Sequence, residues 1–119
     1  EDVEYINSHG TATVLNDKTE SLAIRRLFGD HADSVLVNST KSMIGHCLGA
    51  AGALETIASI LAIERGVVHP TINFTTPDPE CNINVVGPKP AYRQISRFLV
   101  NNFGFGGHNG VLAVQKFEE

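Results

Sequence analysis

Apolar residues fall into blocks separated by polar and glycine-rich stretches, and the spacing within each block predicts its secondary structure. Residues 3–6 and 35–39 are short β-prone runs, and the second is apolar enough for a sheet covered on both faces. Between them a helical pattern follows Asn16 and Asp17, either of which can cap a helix, with Glu20 as the capping-box partner. Gly29 is expected to end this helix.

The second half of the chain starts with the most apolar block. Residues 48–65 are apolar nearly all round, which is typical of a buried helix, and their small residues allow another backbone to come close. All five prolines lie in residues 66–91, so this segment is predicted to be irregular, with a short strand at 83–86. Residues 97–102 and 111–115 are predicted to form a hairpin with a wide loop. The fold class is therefore α/β, and the central helix needs more cover than 119 residues supply. We expect another polypeptide segment to provide that cover.

Composition excludes several classes of function. Nine basic against 13 acidic residues give a net charge of −4, which argues against nucleic-acid binding through a basic face. Residues 47–63 are too short and too polar for a membrane span. Two cysteines do not make a disulfide scaffold, and reduced thiols in the cytoplasm or an organelle matrix are expected. The chain does not start with Met, so we expect a piece of a longer protein.

His9 follows the first predicted strand, where open α/β sheets bind ligands. Gly10 lets backbone approach a ligand, and Thr11 and Thr13 offer two hydroxyl groups that point the same way if the segment is extended. The alternative is a turn histidine with ordinary loop threonines.

His46 lies in a loop that leads into the apolar helix. A neutral histidine there can donate a hydrogen bond to a developing oxyanion. Lys41 can orient a partner or pair with Glu55, which lies within the apolar helix and needs a partner if it is buried. The alternative is a purely structural Lys41–Glu55 pair.

The glycine-rich stretch 104–110 is not a dinucleotide fingerprint, because its last glycine is one position late and a strand follows it. It presents Phe105 between glycines, either as a mobile gate or in a simple tight hairpin turn. No spacing of histidines and cysteines suggests a metal site. Cys47 beside His46 is not expected to be a nucleophile, and His31, His69 and Cys81 lie in surface-like segments.

Three motifs, read together, carry a specific resemblance. They are His-Gly-Thr-Ala-Thr at 9–13, Lys-Ser-Met-Ile-Gly-His-Cys-Leu-Gly-Ala-Ala-Gly at 41–52 and Asn-Asn-Phe-Gly-Phe-Gly-Gly-His-Asn-Gly at 101–110. In this order they resemble the C-terminal part of β-ketoacyl synthases, most closely the elongating 3-oxoacyl-[acyl-carrier-protein] synthase II type, with polyketide ketosynthases close behind. The resemblance implies that residues 1–119 are a partial C-terminal domain with a thiolase-like fold, a mixed β-sheet layered with helices around a buried central helix.

The resemblance also implies a reaction, a decarboxylative Claisen condensation of malonyl-carrier protein with an enzyme-bound acyl thioester. It implies acyl carrier protein, malonyl and acyl thioesters and the N-terminal half as partners, a homodimer when complete, and no cofactor beyond the carrier's phosphopantetheine. The family's nucleophilic cysteine belongs to the N-terminal half, so the isolated chain is expected to lack condensing activity.

The resemblance assigns roles to individual residues. His9 and His46 match the two active-site histidines, Lys41 the active-site lysine and Phe105 the gating phenylalanine. Thr11 and Thr13 match threonines that bind the phosphopantetheine arm. The supporting acidic positions are Glu55, the partner of the lysine, and Asp17 and Glu20, close to the lysine. Some relatives bind a structural cation where Asn7, Glu55 and Asn101 lie. His108 stands where many relatives carry Thr.

Two alternatives remain. One is a non-catalytic partner of the chain-length-factor type, although such a partner does not need both histidines and the lysine. The other is a malonyl-thioester decarboxylase, which needs only the histidines. The residue that occupies the nucleophile position in the upstream sequence would discriminate them.

Overall fold

The protein is described by a computed structural model that covers residues 2–117. Its first half contains strand β1 (Tyr5–Asn7), helix α1 (Val14–Phe28), strand β2 (Leu36–Asn38), helix α2 (Lys41–Ile44) and helix α3 (Ala51–Arg65). The second half contains strands β3 (Val67–Val68), β4 (Ala91–Tyr92), β5 (Arg97–Gly104) and β6 (His108–Gln115). Short 3₁₀ turns follow α1 and precede α3.

The main sheet has four strands in the order β2-β1-β5-β6. Strand β1 pairs in parallel with both β2 and β5, and β6 returns antiparallel to β5. The sheet is therefore mixed. Its parallel strands end at one edge, where the segments carrying His9 and the start of α2 emerge.

The core lies on both faces of this sheet. Tyr5 packs with Phe98 and with Ala62 of α3, whereas Ile6, the next residue of β1, packs with Ile24 of α1. Successive side chains of a strand point to opposite faces, so α1 and α3 cover opposite sides of the sheet.

The N-terminal half corrects the sequence prediction in two places. Helix α1 begins at Val14, and no side chain caps it, so neither Asn16 nor Asp17 is the cap and Glu20 is not a capping-box partner. The segment predicted as a loop before His46 contains the short helix α2.

The C-terminal half differs from the sequence prediction in two further places. The strand predicted at 83–86 is reduced to a single bridge between Val85 and Val37, and β3 pairs with β4 instead. The final hairpin is tight rather than wide, because β5 and β6 extend until only residues 105–107 lie between them.

Helix α3 is covered by this chain on one side only. Ala51, Glu55, Ser59, Ala62 and Ile63 are buried. On its other side the large apolar residues are 37–55% exposed, namely Leu54, Ile57, Ile60 and Leu61. The expected all-round burial is thus not achieved within residues 2–117. No helix in the described part of the chain is long and apolar enough to cross a membrane.

Candidate active site

A cleft of about 600 Å³ opens where the parallel strands end. Its lining includes Thr11 and Thr13 from the β1–α1 loop, Lys41 of α2, and His46. The first two predicted motifs thus meet at one place, although they lie about thirty residues apart in the chain. Residues 71–85 form much of the remaining wall.

The backbone at His9 is held by a buried carboxylate. The N–H groups of His9 and Gly10 donate to Oε1 and Oε2 of Glu20, each at 3.0 Å. Asn101 Nδ2 donates to Glu20 Oε1 at 3.1 Å, which ties the same carboxylate to β5. Glu20 therefore positions His9 instead of starting α1, and its hydrogen bonds do not involve Lys41.

Gly10 is required by the close approach at this point. Its φ is +38°, and a Cβ there would lie 2.6 Å from Cβ of Ser39 and 2.7 Å from Oγ of Ser8. A larger residue would push the His9 loop away from β2, so the glycine fixes the path of the backbone into the cleft.

The His9 ring is enclosed by two other rings. It meets His46 edge to face at a centroid distance of 5.4 Å, and it lies 5.4 Å from Phe103. Burial, followed by the positive charge of Lys41, lowers the pKa of His9 below its usual value, so the ring is neutral near pH 7. Its Nδ1 atom is buried and has no hydrogen-bond partner among the described residues.

The tautomer of His46 follows from its backbone contact. The N–H of Leu48 donates to Nδ1 of His46 at 3.2 Å, so Nδ1 is an acceptor. In the neutral ring the proton is then on Nε2, which makes that nitrogen a hydrogen-bond donor. His46 is exposed, and its contact with His9 brings the two imidazole rings together at the cleft.

Lys41 and Glu55 form a buried ion pair. Nζ of Lys41 lies 2.5 Å from Oε1 of Glu55, and the two side chains are 5% and 1% exposed. Asn102 Nδ2 donates to the second carboxylate oxygen of Glu55 at 2.8 Å. Each oxygen of this buried carboxylate is thus satisfied, as a stable buried pair requires.

Thr11 and Thr13 bring their hydroxyl oxygens within 3.0 Å of each other. The segment is not extended as the sequence suggested, because Ala12 between them has a φ of +61°. Both residues remain on the cleft wall. Asp17, predicted close to the lysine, accepts a hydrogen bond from its neighbour Asn16.

The two phenylalanines of the third motif, Phe103 and Phe105, lie in different surroundings, and the gating role of Phe105 stays a prediction. Phe105 is 99% exposed at the tip of the hairpin turn. The aromatic ring next to His9 belongs to Phe103, which the sequence analysis missed. Because side chains alternate along a strand, Phe103 would have been found by extending β5 to the end of the motif.

The residues matched to a structural cation do not converge on one point. Asn7 Nδ2 donates to the backbone oxygen of Glu55 and to Oγ1 of Thr40, whereas Asn101 reaches Glu20. Residues 2–117 contain no cluster of three or more His, Cys, Asp and Glu placed to hold a metal. A cation here stays a prediction.

His69, predicted to lie in a surface-like segment, is half-buried and makes specific contacts. Its Nε2 lies 3.0 Å from Thr40 Oγ1, and its backbone oxygen accepts a hydrogen bond from Asn38. Burial lowers the pKa of His69. It supports the residue that precedes Lys41, a long-range contact that no local pattern signals.

Comparison with known proteins agrees with this geometry. Residues 1–75 match the family described as "Beta-ketoacyl synthase, C-terminal domain". The chain is 50% identical to nodulation protein E of Rhizobium meliloti over 98% of its own length and 29% of that protein. It is 48% identical to 3-oxoacyl-[acyl-carrier-protein] synthase 2 of Synechocystis sp. (strain ATCC 27184 / PCC 6803 / Kazusa), over 98% of this chain and 28% of that protein.

A solved structure agrees as well. The structure described as a type II PKS acyl-carrier protein in complex with its ketosynthase bound to the hexaketide (AntDE:AntF) superimposes with a TM-score of 0.94 at 40% identity, covering 98% of this chain and 28% of that one. The predicted thiolase-like α/β fold is thus confirmed. The chain spans less than a third of the relatives it matches. From its motifs, its fold and these matches together, the chain belongs to the β-ketoacyl synthase family and represents its C-terminal domain.

Proposed function

We propose that this chain is the C-terminal portion of a 3-oxoacyl-[acyl-carrier-protein] synthase in fatty acid or polyketide biosynthesis. The carrying observation is the contact of the His9 and His46 rings beside the cleft that Lys41 lines. Two imidazole rings that meet at one point, and whose N–H groups can donate hydrogen bonds, are suited to stabilise negative charge that develops on a thioester oxygen.

The reaction divides into two steps. The bond between the malonyl Cα and its carboxylate breaks, carbon dioxide leaves, and the electron pair forms an enolate whose oxygen accepts hydrogen bonds from His9 and His46. The enolate carbon then attacks the carbonyl of an acyl group held on a cysteine, and the cysteine leaves as its thiolate. The positive charge of Lys41 adds to the effect of burial in lowering the pKa of His9. Phe105 is assigned the gate at the turn.

The nucleophile of the second step lies outside this segment. Cys47 and Cys81 are free and only partly exposed. The Cys47 thiol faces the backbone oxygens of Ile44 and Gly45, both at 3.8 Å, and within residues 2–117 it makes no hydrogen bond to a histidine nitrogen. We assign the acyl-carrying cysteine to the N-terminal half of the complete protein. The same half is our candidate for covering the apolar side of α3.

Substrate delivery follows from the cleft. The paired hydroxyls of Thr11 and Thr13 can hydrogen-bond the amides of a phosphopantetheine arm, so acyl carrier protein is the proposed partner. One relative was solved with such a carrier bound. The complete enzyme is proposed to be a homodimer in the cytoplasm or an organelle matrix and to need no further cofactor.

The test uses the full-length chain with an acyl thioester and malonyl-carrier protein. A 3-oxoacyl product supports the proposal. Release of carbon dioxide with only the decarboxylated thioester as product would instead identify a decarboxylase. Neither product, from a well-folded protein that binds a second ketosynthase, would identify a partner of the chain-length-factor type. The control replaces the upstream cysteine by alanine, which should stop condensation but not decarboxylation.

A further inference from the structure

Two adjacent residues of β5 hold the two buried carboxylates of the site. Asn101 donates to Glu20, which holds the backbone of His9, and Asn102 donates to Glu55, which pairs with Lys41. Neighbouring side chains of a strand point to opposite faces, so one dipeptide reaches the α1 side and the α3 side of the sheet. Strand β5 therefore donates a hydrogen bond to each of the two buried carboxylates of the site.

The contact of Asn102 has a specific geometric consequence. A carboxylate with one bonded oxygen can still rotate, whereas Glu55 is held at both oxygens, by Lys41 Nζ and by Asn102 Nδ2. The approach of α3 to β5 makes this contact feasible: a Cβ on Gly52 would lie 3.5 Å from Nδ2 of Asn102. Because Glu55 is buried, the loss of the amide would leave one carboxylate oxygen without a partner.

We propose that Asn102 is a positioning residue that fixes the orientation of the Glu55 carboxylate and thereby the place of the Lys41 ammonium beside His9. This inference rests on the proposed function for its kinetic consequences. Its structural content, coupling between Asn102 and Glu55, holds independently of any activity.

Displacement of Lys41 would change the electrostatic environment of the His9 ring. The charged and titratable groups around His9 are Lys41 and His46, which lower its pKa, and Glu20 and Glu55, which raise it. If the ammonium moves away from the ring, the pKa of His9 rises towards its ordinary value. Protonated His9 would then appear at a higher pH than in the parent enzyme.

The test measures decarboxylation of malonyl-carrier protein by the full-length enzyme as a function of pH. Asn102→Leu has nearly the same size but no donor, and Asn102→Ser keeps a shorter donor. Asn109→Leu, at an exposed position of β6 paired with Phe103, controls for a change in the hairpin. We expect Asn102→Leu to lower kcat roughly tenfold with little change in KM. The acid limb of the pH–rate profile, where the rate falls as the pH drops, should move to higher pH. Asn102→Ser should show a smaller loss, because it keeps a donor.

Parental kcat and an unmoved acid limb in Asn102→Leu would overturn the inference. Equal losses of kcat in the Leu and Ser variants, with the acid limb unmoved, would also overturn it. Such a result would indicate that Asn102 contributes only packing and not a hydrogen bond. If Asn102→Leu does not fold, Asn102→Ala and Asn102→Ser form the matched pair, and identical acid limbs in these two contradict the proposal.

A second measurement separates this inference from the proposed function. If the parent enzyme has no decarboxylase activity, the proposed function fails, but the coupling of Asn102 to Glu55 can still be read from unfolding. A double-mutant cycle of Asn102→Leu and Glu55→Gln should be non-additive. Additive effects would overturn the positioning role.

Discussion

The rings of His9 and His46 meet at 85° with their centroids 5.4 Å apart, although the residues are separated by α1, β2 and α2. Their encounter depends on the parallel pairing of β1 with β2, which brings the segments after both strands to the same edge. His9 is fixed by Glu20 and His46 by its contact with the Leu48 N–H. The site is therefore built from backbone geometry as much as from side chains.

Breaking the Lys41–Glu55 pair should destabilise the protein mainly because one buried charge is left without its partner. Lys41→Met leaves a buried carboxylate without its cation and should lower the free energy of unfolding by about 3 kcal/mol. The double variant Lys41→Met/Glu55→Gln should lose less than Lys41→Met alone, because no unpaired charge remains. Urea unfolding measures both, and a double variant as unstable as the sum of the single ones would contradict this account. Lys18→Met, which breaks an exposed pair with Glu80, is the control and should leave the midpoint unchanged.

The turn at Gly10 should be intolerant of any side chain. Gly10→Ala combines a positive φ with contacts under 3.0 Å to Ser8 and Ser39, and should cost at least about 2 kcal/mol. Gly107→Ala has a φ of +82°, but its Cβ would meet no atom of the described residues within 4 Å, so it should cost about 1 kcal/mol. Thermal unfolding of the two variants measures the difference. Equal costs would mean that close packing at Gly10 is not a constraint.

Phe105 should affect selectivity rather than stability. Because its ring is 99% exposed, Phe105→Ala should change the free energy of unfolding by less than about 0.5 kcal/mol. Phe98→Ala, at a position 1% exposed in the core, should cost about 3 kcal/mol or more. If Phe105 is the gate, its loss should broaden the range of acyl chains accepted by the full-length enzyme. Unchanged acyl-chain selectivity would indicate that Phe105 is a turn residue and not a gate.

The pKa of His9 makes a prediction about activity at low pH. The pKa of His9 is lowered, first by burial and then by Lys41, so the neutral donor persists below the ordinary histidine value of about 6.5. The acid limb of decarboxylation should lie below that pH. Lys41→Met should move it upward, because the charge that opposes protonation is gone. An acid limb above pH 7 in the parent would contradict the assignment.

The same depressed pKa has a consequence for stability. The unfolded chain protonates its histidines near pH 6.5, whereas folded His9 and His69 protonate only at lower pH. The unfolded state then binds more protons, so stability falls as the pH drops through about 6.5 towards the folded pKa values. His69→Gln should reduce this slope in urea unfolding between pH 7 and 5. An unchanged slope would show that His69 titrates normally.

Much of the architecture could be predicted from local pattern, because β1, β2 and the final hairpin are β-prone apolar runs, α1 has one apolar face and α3 is apolar nearly all round. The errors have long-range causes. Glu20 has the spacing of a capping-box partner, but its carboxylate is used by His9, Gly10 and the distant Asn101. The segment predicted as a strand at 83–86 makes a single bridge to Val37, while the residues on either side of it pair with each other as β3 and β4.

The site was predictable in its residue types but not in all its contacts. Lys41 and Glu55 could be paired in advance, because a carboxylate in an apolar helix needs a cation. Asn102 could not, because its contact with Glu55 depends on which side of the sheet it faces. Phe103 could be found only by extending the predicted strand beyond residue 102. His69 was misjudged because a proline-rich segment folds back onto Thr40.

The most direct test of the central claim is decarboxylation of malonyl-carrier protein by the His46→Ala variant of the full-length enzyme. His31→Ala is the control, since His31 contacts Val3 and Ser34 away from the cleft. The account predicts that His46→Ala lowers the rate by at least about a hundredfold, as the loss of an oxyanion donor does, while acylation of the upstream cysteine persists. Decarboxylation at the parental rate would contradict the proposed role of the histidine pair.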